Sequence, residues 1–143
     1  MASLKQIRQA AGDTLEANLP GLKAHRTVPG SAVGDVVVVQ PAEDQLADFL
    51  VAMGRGSDTY NLDLLVLVPN RDLKLAQDAL DDYLTGAGSK SIREAVFTHK
   101  DLGLTNVDAH VAGAFGYGAD YRLGNTDYLG ATLRLIVHTK GTE

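Results

Sequence analysis

The sequence predicts a single α+β domain in which two to three helices flank a mixed or mainly antiparallel sheet. Three observations lead there. Thr59–Val68 sets Tyr60, Leu62, Leu64, Val66 and Val68 on one face, with the period of two that a strand requires. Val36–Val39 is an unbroken valine run bounded by Gly34 and Pro41, the mark of a buried strand. Neighbouring strands are separated mostly by short turns and not by regular helical crossovers, which favours antiparallel pairing over a doubly wound sheet. At 143 residues, the chain is long enough for one core, and residues 1–143 are expected to form one domain.

The elements follow in order. Ser3 is placed to cap a first helix, with Gln6 in capping-box position, and Leu4, Ile7, Ala11 and Leu15 form its apolar stripe until Pro20-Gly21. Gly12 costs this helix about 1 kcal/mol relative to alanine, so the helix depends on docking. Leu22–Val28 reads as a short strand closed by Pro29-Gly30. Glu43–Met53 fits a helical face through Leu46, Phe49, Leu50 and Met53, and a strand through Phe49, Val51 and Met53. The turn residues Gly54-Arg55-Gly56-Ser57 favour a strand at Asp48–Met53, paired as a hairpin with the one beginning near Thr59.

Asp72 caps a second helix with Leu73, Ala76, Leu80 and Leu84 as its core stripe, Tyr83 alongside, and Gly86 and Gly88 at its end. Ser91 and Glu94 open a short helix to about Thr98. After the turn Leu102–Asn106, Val107–Tyr117 alternates through Val107, Ala109, Val111, Phe115 and Tyr117. Gly124–Asp127 reverses the chain. Tyr128–His138 then alternates Leu129, Ala131, Leu133, Leu135 and Val137 against Thr132, Arg134 and His138.

The second face of the Thr59–Val68 strand begins polar at Thr59, Asn61 and Asp63 and becomes apolar at Leu65 and Leu67. That strand should enter from a wet edge and finish covered on both sides, by a helix or by another subunit. Arg55, at the tip of the expected hairpin, is either solvated or an arm onto a neighbour, where its guanidinium fork suits a carboxylate. Asp81 and Asp82 lie near the C-terminal end of their helix, where the dipole disfavours negative charge by a few tenths of about 1 kcal/mol. They read as a solvated face or as a docking surface for a basic partner.

Composition narrows the function classes. The chain carries 18 acidic and 13 basic residues, net −5, without the lysine and arginine cluster that phosphate neutralisation needs. Tight DNA binding is not expected. With no cysteine, disulfides, thiolate metal sites and a cysteine nucleophile are excluded. The start, Met-Ala-Ser-Leu-Lys-Gln-Ile-Arg, is too polar for a signal peptide, and no apolar run approaches the roughly 18 residues of a membrane span.

The remaining motifs suggest little chemistry. Gly113, Gly116 and Gly118 lie in and just after a strand with another strand following, so a bulge or sheet bend is expected and not a phosphate loop, which must open a helix. Asp108 and His110 share a strand face that His138 approaches if the last two strands pair. Two histidines and a carboxylate can form a metal set, and they are equally what a solvated sheet face shows. No catalytic, cofactor or metal residue is assigned.

Four segments carry a resemblance: Ser3–Arg8 followed by Leu19-Pro-Gly-Leu22; Met53-Gly-Arg-Gly-Ser-Asp-Thr-Tyr60 with its apolar strand; Ala76–Leu84 ahead of a Gly-Ser turn and short helix; and Gly116-Tyr-Gly118 before Asn125–Gly130 and a closing strand. In this order the chain resembles the tail-terminator proteins of long-tailed bacteriophages, particularly those of actinobacterial phages. The resemblance implies a non-catalytic virion protein without cofactor, found at the tail–neck junction and in the host cytoplasm during assembly. It implies a small α+β subunit that forms a hexameric ring, caps the finished tail tube and offers a surface to the head-side connector. Its partners would be its own copies, the tube protein and the connector, with DNA passing through the ring unbound and no membrane involved. Inter-subunit sheet contacts are implied, but no family motif carries functional residues over; from their own placement in the sequence Arg55, Tyr60, Leu65, Leu67, Asp81 and Asp82 are the interface candidates. Glu43–Phe49 departs from the strand the family pattern implies there. Two alternatives stay open: another neck component, such as a head-completion or head–tail joining protein, and a small ligand- or metal-binding or hydrolytic domain built on the His110/His138 face.

Overall fold

The computed structural model describes residues 3–19, 21–25, 34–44, 46–48 and 57–140. Helix α1 (Leu4–Asn18) opens with the expected capping box: the Ser3 hydroxyl accepts from the Gln6 amide, and the Gln6 side chain accepts from that of Ser3. Ile7, Ala11 and Leu15 are buried, and Gly12 lies among them. A Cβ at Gly12 would stand 3.3 Å from that of Ala24. Glycine therefore weakens the isolated helix yet lets it lie close on β1 (Leu22–His25).

Strand β2 (Asp35–Pro41) runs parallel to β1, from Leu22 opposite Asp35 to His25 opposite Val38. This pair departs from the expected antiparallel neighbours, although Leu22 and Asp35 are close in sequence. Val36–Val39 are all fully buried, as in a strand flanked on both sides and covered on both faces, a burial that antiparallel and parallel neighbours satisfy equally. Residues 26–28 of the expected first strand, and Pro29-Gly30, lie outside the described residues.

Strand β3 (Ala47–Asp48) pairs antiparallel with β4 (Ser57–Pro69), Ala47 opposite Tyr60 and Asp48 opposite Thr59. Of the expected hairpin partner Asp48–Met53 only its first residue, Asp48, is described, and it pairs as expected with Thr59, while the rest of it, through Met53, and the Arg55 tip lie outside the described residues. Helix α2 (Leu73–Leu84) is capped by Asp72, whose carboxylate accepts from the amides of Lys74 and Leu75. Its buried stripe is Ala76, Leu80 and Tyr83, with Leu84 partly buried against the core. Leu73 departs from expectation: it is 54% exposed, because the helix meets the core only from Ala76 onward. Ser91 caps α3 (Ile92–Thr98) by accepting from the Glu94 amide, and its hydroxyl also donates to the Thr85 carbonyl, tying α3 to the end of α2.

Strands β5 (Val107–Leu123) and β6 (Thr126–Lys140) form a long antiparallel hairpin. Gly124 takes φ +61° in its two-residue turn, the region glycine enters without steric cost. The register shifts between Val111 and Gly113 and again between Phe115 and Ala119, with Gly116 and Gly118 at φ +68° and +85°. These are the bulges the glycine string suggested. They also break the alternation expected through Tyr117: Phe115 sits opposite Thr132, on the face away from Val111.

The six strands form one mixed sheet, ordered β1-β2-β4-β6-β5, with β3 added to β4. All three helices pack on one face, against Val37, Val39, Leu62, Leu64, Val66, Ala109, Leu133, Leu135 and Val137 among others. Each of these buried valines and leucines contributes about 1.5–3 kcal/mol of transfer free energy. The opposite face carries a second, smaller apolar cluster of Val36, Val38, Leu65, Leu67, Leu123 and Tyr128, with Tyr121 packed against it.

Candidate interaction surface

The face opposite the helices changes character along the strands. At one end, the pairing of Leu65 with Val38 and Leu67 with Val36 places these apolar side chains in one cluster. Leu65 and Leu67 are buried there within a single chain. Tyr121 and Leu67 close over Gly130, where a Cβ would fall 2.7 Å from the tyrosine ring and 2.8 Å from the leucine. Cover for this end thus comes from aromatic side chains of the β5–β6 hairpin, and its burial does not require a neighbouring subunit.

Toward the middle the face turns polar. Asp63 and Arg134 stand directly opposite on β4 and β6, and the arginine Nε donates to the carboxylate at 2.8 Å. The terminal nitrogens of Arg134 donate to Asp44 at 3.1 and 3.3 Å, and its guanidinium lies 5.7 Å from the centroid of the Phe115 ring. The hydrogen bond to Asp63 raises the arginine pKa against the opposing effect of burial. Sequence reasoning missed this anchor. Its only signal was one acidic and one basic residue on the outward faces of two apolar strands.

At the far end His110 and His138 stack, their ring centroids 5.7 Å apart, and His138 Nδ1 lies 3.1 Å from the Thr59 hydroxyl. Asp108 is opposite His138, so the three residues do share a face. Among the described residues no group of three or more histidine, aspartate or glutamate side chains is arranged to hold a metal ion.

The interface candidates fall in different places. Tyr60 is half-buried against the main core, and burial, then the charge of Asp58, raise its hydroxyl pKa. Asp81 and Asp82 are exposed on α2, and Asp81 accepts from the Tyr117 hydroxyl at 2.7 Å. That bond is the main cause of a raised Tyr117 pKa. Arg55 lies outside the described residues. Leu65 and Leu67 come together on the helix-free face, whereas Asp81 and Asp82 lie on α2, which packs on the other face, so the two pairs do not form one patch. Phe115 and Tyr117, both about half exposed (49% and 50%), were missed as surface aromatics. The glycines around them were the available sign that the strand bends there.

This geometry defines a two-layer α+β domain with a helix-covered face, a helix-free face and a long bulged hairpin. Among the described residues no helix is long and apolar enough to cross a membrane. No protein-family model matches the chain, and no curated protein matches its sequence.

Proposed function

We propose that this chain is a phage tail terminator, a structural subunit that closes into a hexameric ring on the completed tail tube and joins the tail to the head connector. The reading rests on the four ordered segments that resemble terminator proteins. The structural observation that supports it is the pair of sheet edges. Among the described strands, β1 pairs only with β2 and β5 only with β6, so the sheet ends in two different edges, each closed in part by its own chain where the Ala24 amide donates to Glu16 and the Ala109 amide to the Lys100 carbonyl. A ring requires two unlike, complementary patches on each copy. The net charge of −5 suits a bore through which DNA passes without adhering.

The test is to add the purified protein to polymerising tail-tube protein and measure tube lengths by electron microscopy. A terminator stops growth and appears as a ring at one tube end. Undiminished growth with unoccupied ends would overturn the reading. If the protein instead binds only the head connector, another neck component is the better assignment. A second reading, a small metal- or ligand-binding domain, draws on the His110–His138 stack, and titration of the chain with Zn²⁺ or Ni²⁺ discriminates it.

A further inference from the structure

Arg93 and Phe97 lie one turn apart on α3, and Lys100 follows the helix. Together with Asp108, Ala109, His110 and Val111 of β5 they line a groove of about 290 Å³. Phe97 is 66% exposed, with the Lys100 ammonium 4.4 Å from its ring centroid. Arg93 lies beside Gly86, where a Cβ would come within 3.0 Å of its Nη1. Among the described residues, neither Arg93 nor Lys100 has a carboxylate within ion-pair distance, whereas Lys23, Arg122 and Arg134 do. Lys5, Arg71, Lys74 and Lys90 share this state; what sets Arg93 and Lys100 apart is that both line one groove beside an exposed phenylalanine.

One wall of the groove is a sheet edge. Val107–Val111 keeps an unbroken register with β6, and no other described strand pairs with it. The Ala109 amide points away from β6 and donates to the Lys100 carbonyl at 2.8 Å. By the alternation of an antiparallel ladder, Val111 also turns its backbone outward. The Ala109 donor is thus already taken, so an extended segment arriving here meets the outward backbone of Val111 on one side and a basic, aromatic wall on the other, part of the combination used in strand addition.

We propose that this groove binds an extended acidic and apolar segment of a partner protein, its carboxylates on Arg93 and Lys100 and an apolar side chain on Phe97. Charge complementarity selects the occupant, because charge-assisted contacts to both cations become available only to an acidic chain. Asp108 repels carboxylates on the β5 side and so directs them toward α3. The groove takes in part of the β5 edge that the ring reading also uses, so in a closed ring the two occupants would compete for it.

Fluorescence anisotropy with the full chain tests it. The probes are a labelled hexapeptide of alternating glutamate and valine and its lysine–valine counterpart, at about 50 and 300 mM salt. The glutamate peptide binds, more weakly at high salt, and the lysine peptide does not. Arg93→Glu with Lys100→Glu lowers affinity at least about tenfold, and Phe97→Ala lowers it less. All three side chains are exposed, so the fold should persist, as checked by circular dichroism, with Arg93→Gln and Lys100→Gln as a milder pair. Equal affinity for both peptides, unchanged affinity in the charge-reversed variant, or no binding at about 1 mM peptide would overturn the proposal. So would a charge-reversed variant that loses self-association, which would reassign the groove to a contact between copies.

Discussion

Arg134 spans two acids at once: its Nε donates to Asp63, directly across the β4–β6 ladder, while its terminal nitrogens hold Asp44 on the segment after β2. Asp63 is only 8% exposed, so removing the arginine leaves a carboxylate largely cut off from water. Arg134→Ala is expected to lower stability by about 2–3 kcal/mol, below the cost of breaking a fully buried pair. Arg134→Lys should recover only part, since an ammonium cannot reproduce the fork. Urea midpoints measure both. A loss under about 0.5 kcal/mol would mean that the pair behaves as an exposed one.

Tyr83 links α2 to the start of β2 by donating to Asp35 at 2.5 Å. Burial, and then this bond to a carboxylate, push the Tyr83 pKa well above its ordinary 10.0. A pKa raised on folding means that the contribution is fully present below pH 10 and is lost as the pH rises above it. Thermal midpoints measured between about pH 9 and 11 should therefore fall. Tyr83→Phe should make that fall shallower, at a baseline cost of about 1 kcal/mol for the lost hydrogen bond. An unchanged alkaline slope in the variant would contradict this assignment.

Gly130 is glycine because the Tyr121 ring and the Leu67 methyl occupy the place of a Cβ. Gly130→Ala is expected to cost about 1–3 kcal/mol through overpacking. Tyr121→Ala in the same chain should relieve part of that cost, since the two effects share one space. A double-mutant cycle on chemical unfolding measures the coupling, and strictly additive losses would count against the contact.

The packing stripe of α2 begins at Ala76. Leu80→Ala should cost about 2–5 kcal/mol as a core truncation, whereas Leu73→Ala should stay within about 0.5 kcal/mol as an exposed change. Asp72→Ala removes the cap of the same helix and is expected to cost about 1 kcal/mol. Unfolding free energies of the three variants rank them, and a large loss at Leu73 would put the helix in a different rotation.

Strong local signals made most of this fold legible. The capping box at Ser3, the alternation of Thr59–Val68 and the alternation of the last strand each predicted an element that the structure contains. The glycines at 113–118 announced a bend, but not its size, so the face of Phe115 was misassigned: a single extra residue reverses every later side chain. Strand direction was the other failure, because nothing in Leu22–Val39 encodes whether β1 and β2 run parallel. The surface was the least legible part. The Arg134–Asp63–Asp44 anchor and the Tyr117–Asp81 bond join residues at least 36 positions apart, and only the assembled sheet brings them together.

The central claim is that copies of this subunit close into a ring of six. Absolute mass by light scattering behind a sizing column, at rising protein concentration and with and without added tube protein, tests it most directly. Ring closure requires a species of about six times the 15.1 kDa mass of one chain, forming with concentration or on tube ends. A mass fixed at 15.1 kDa throughout, with no gain when tube protein is added, would contradict it.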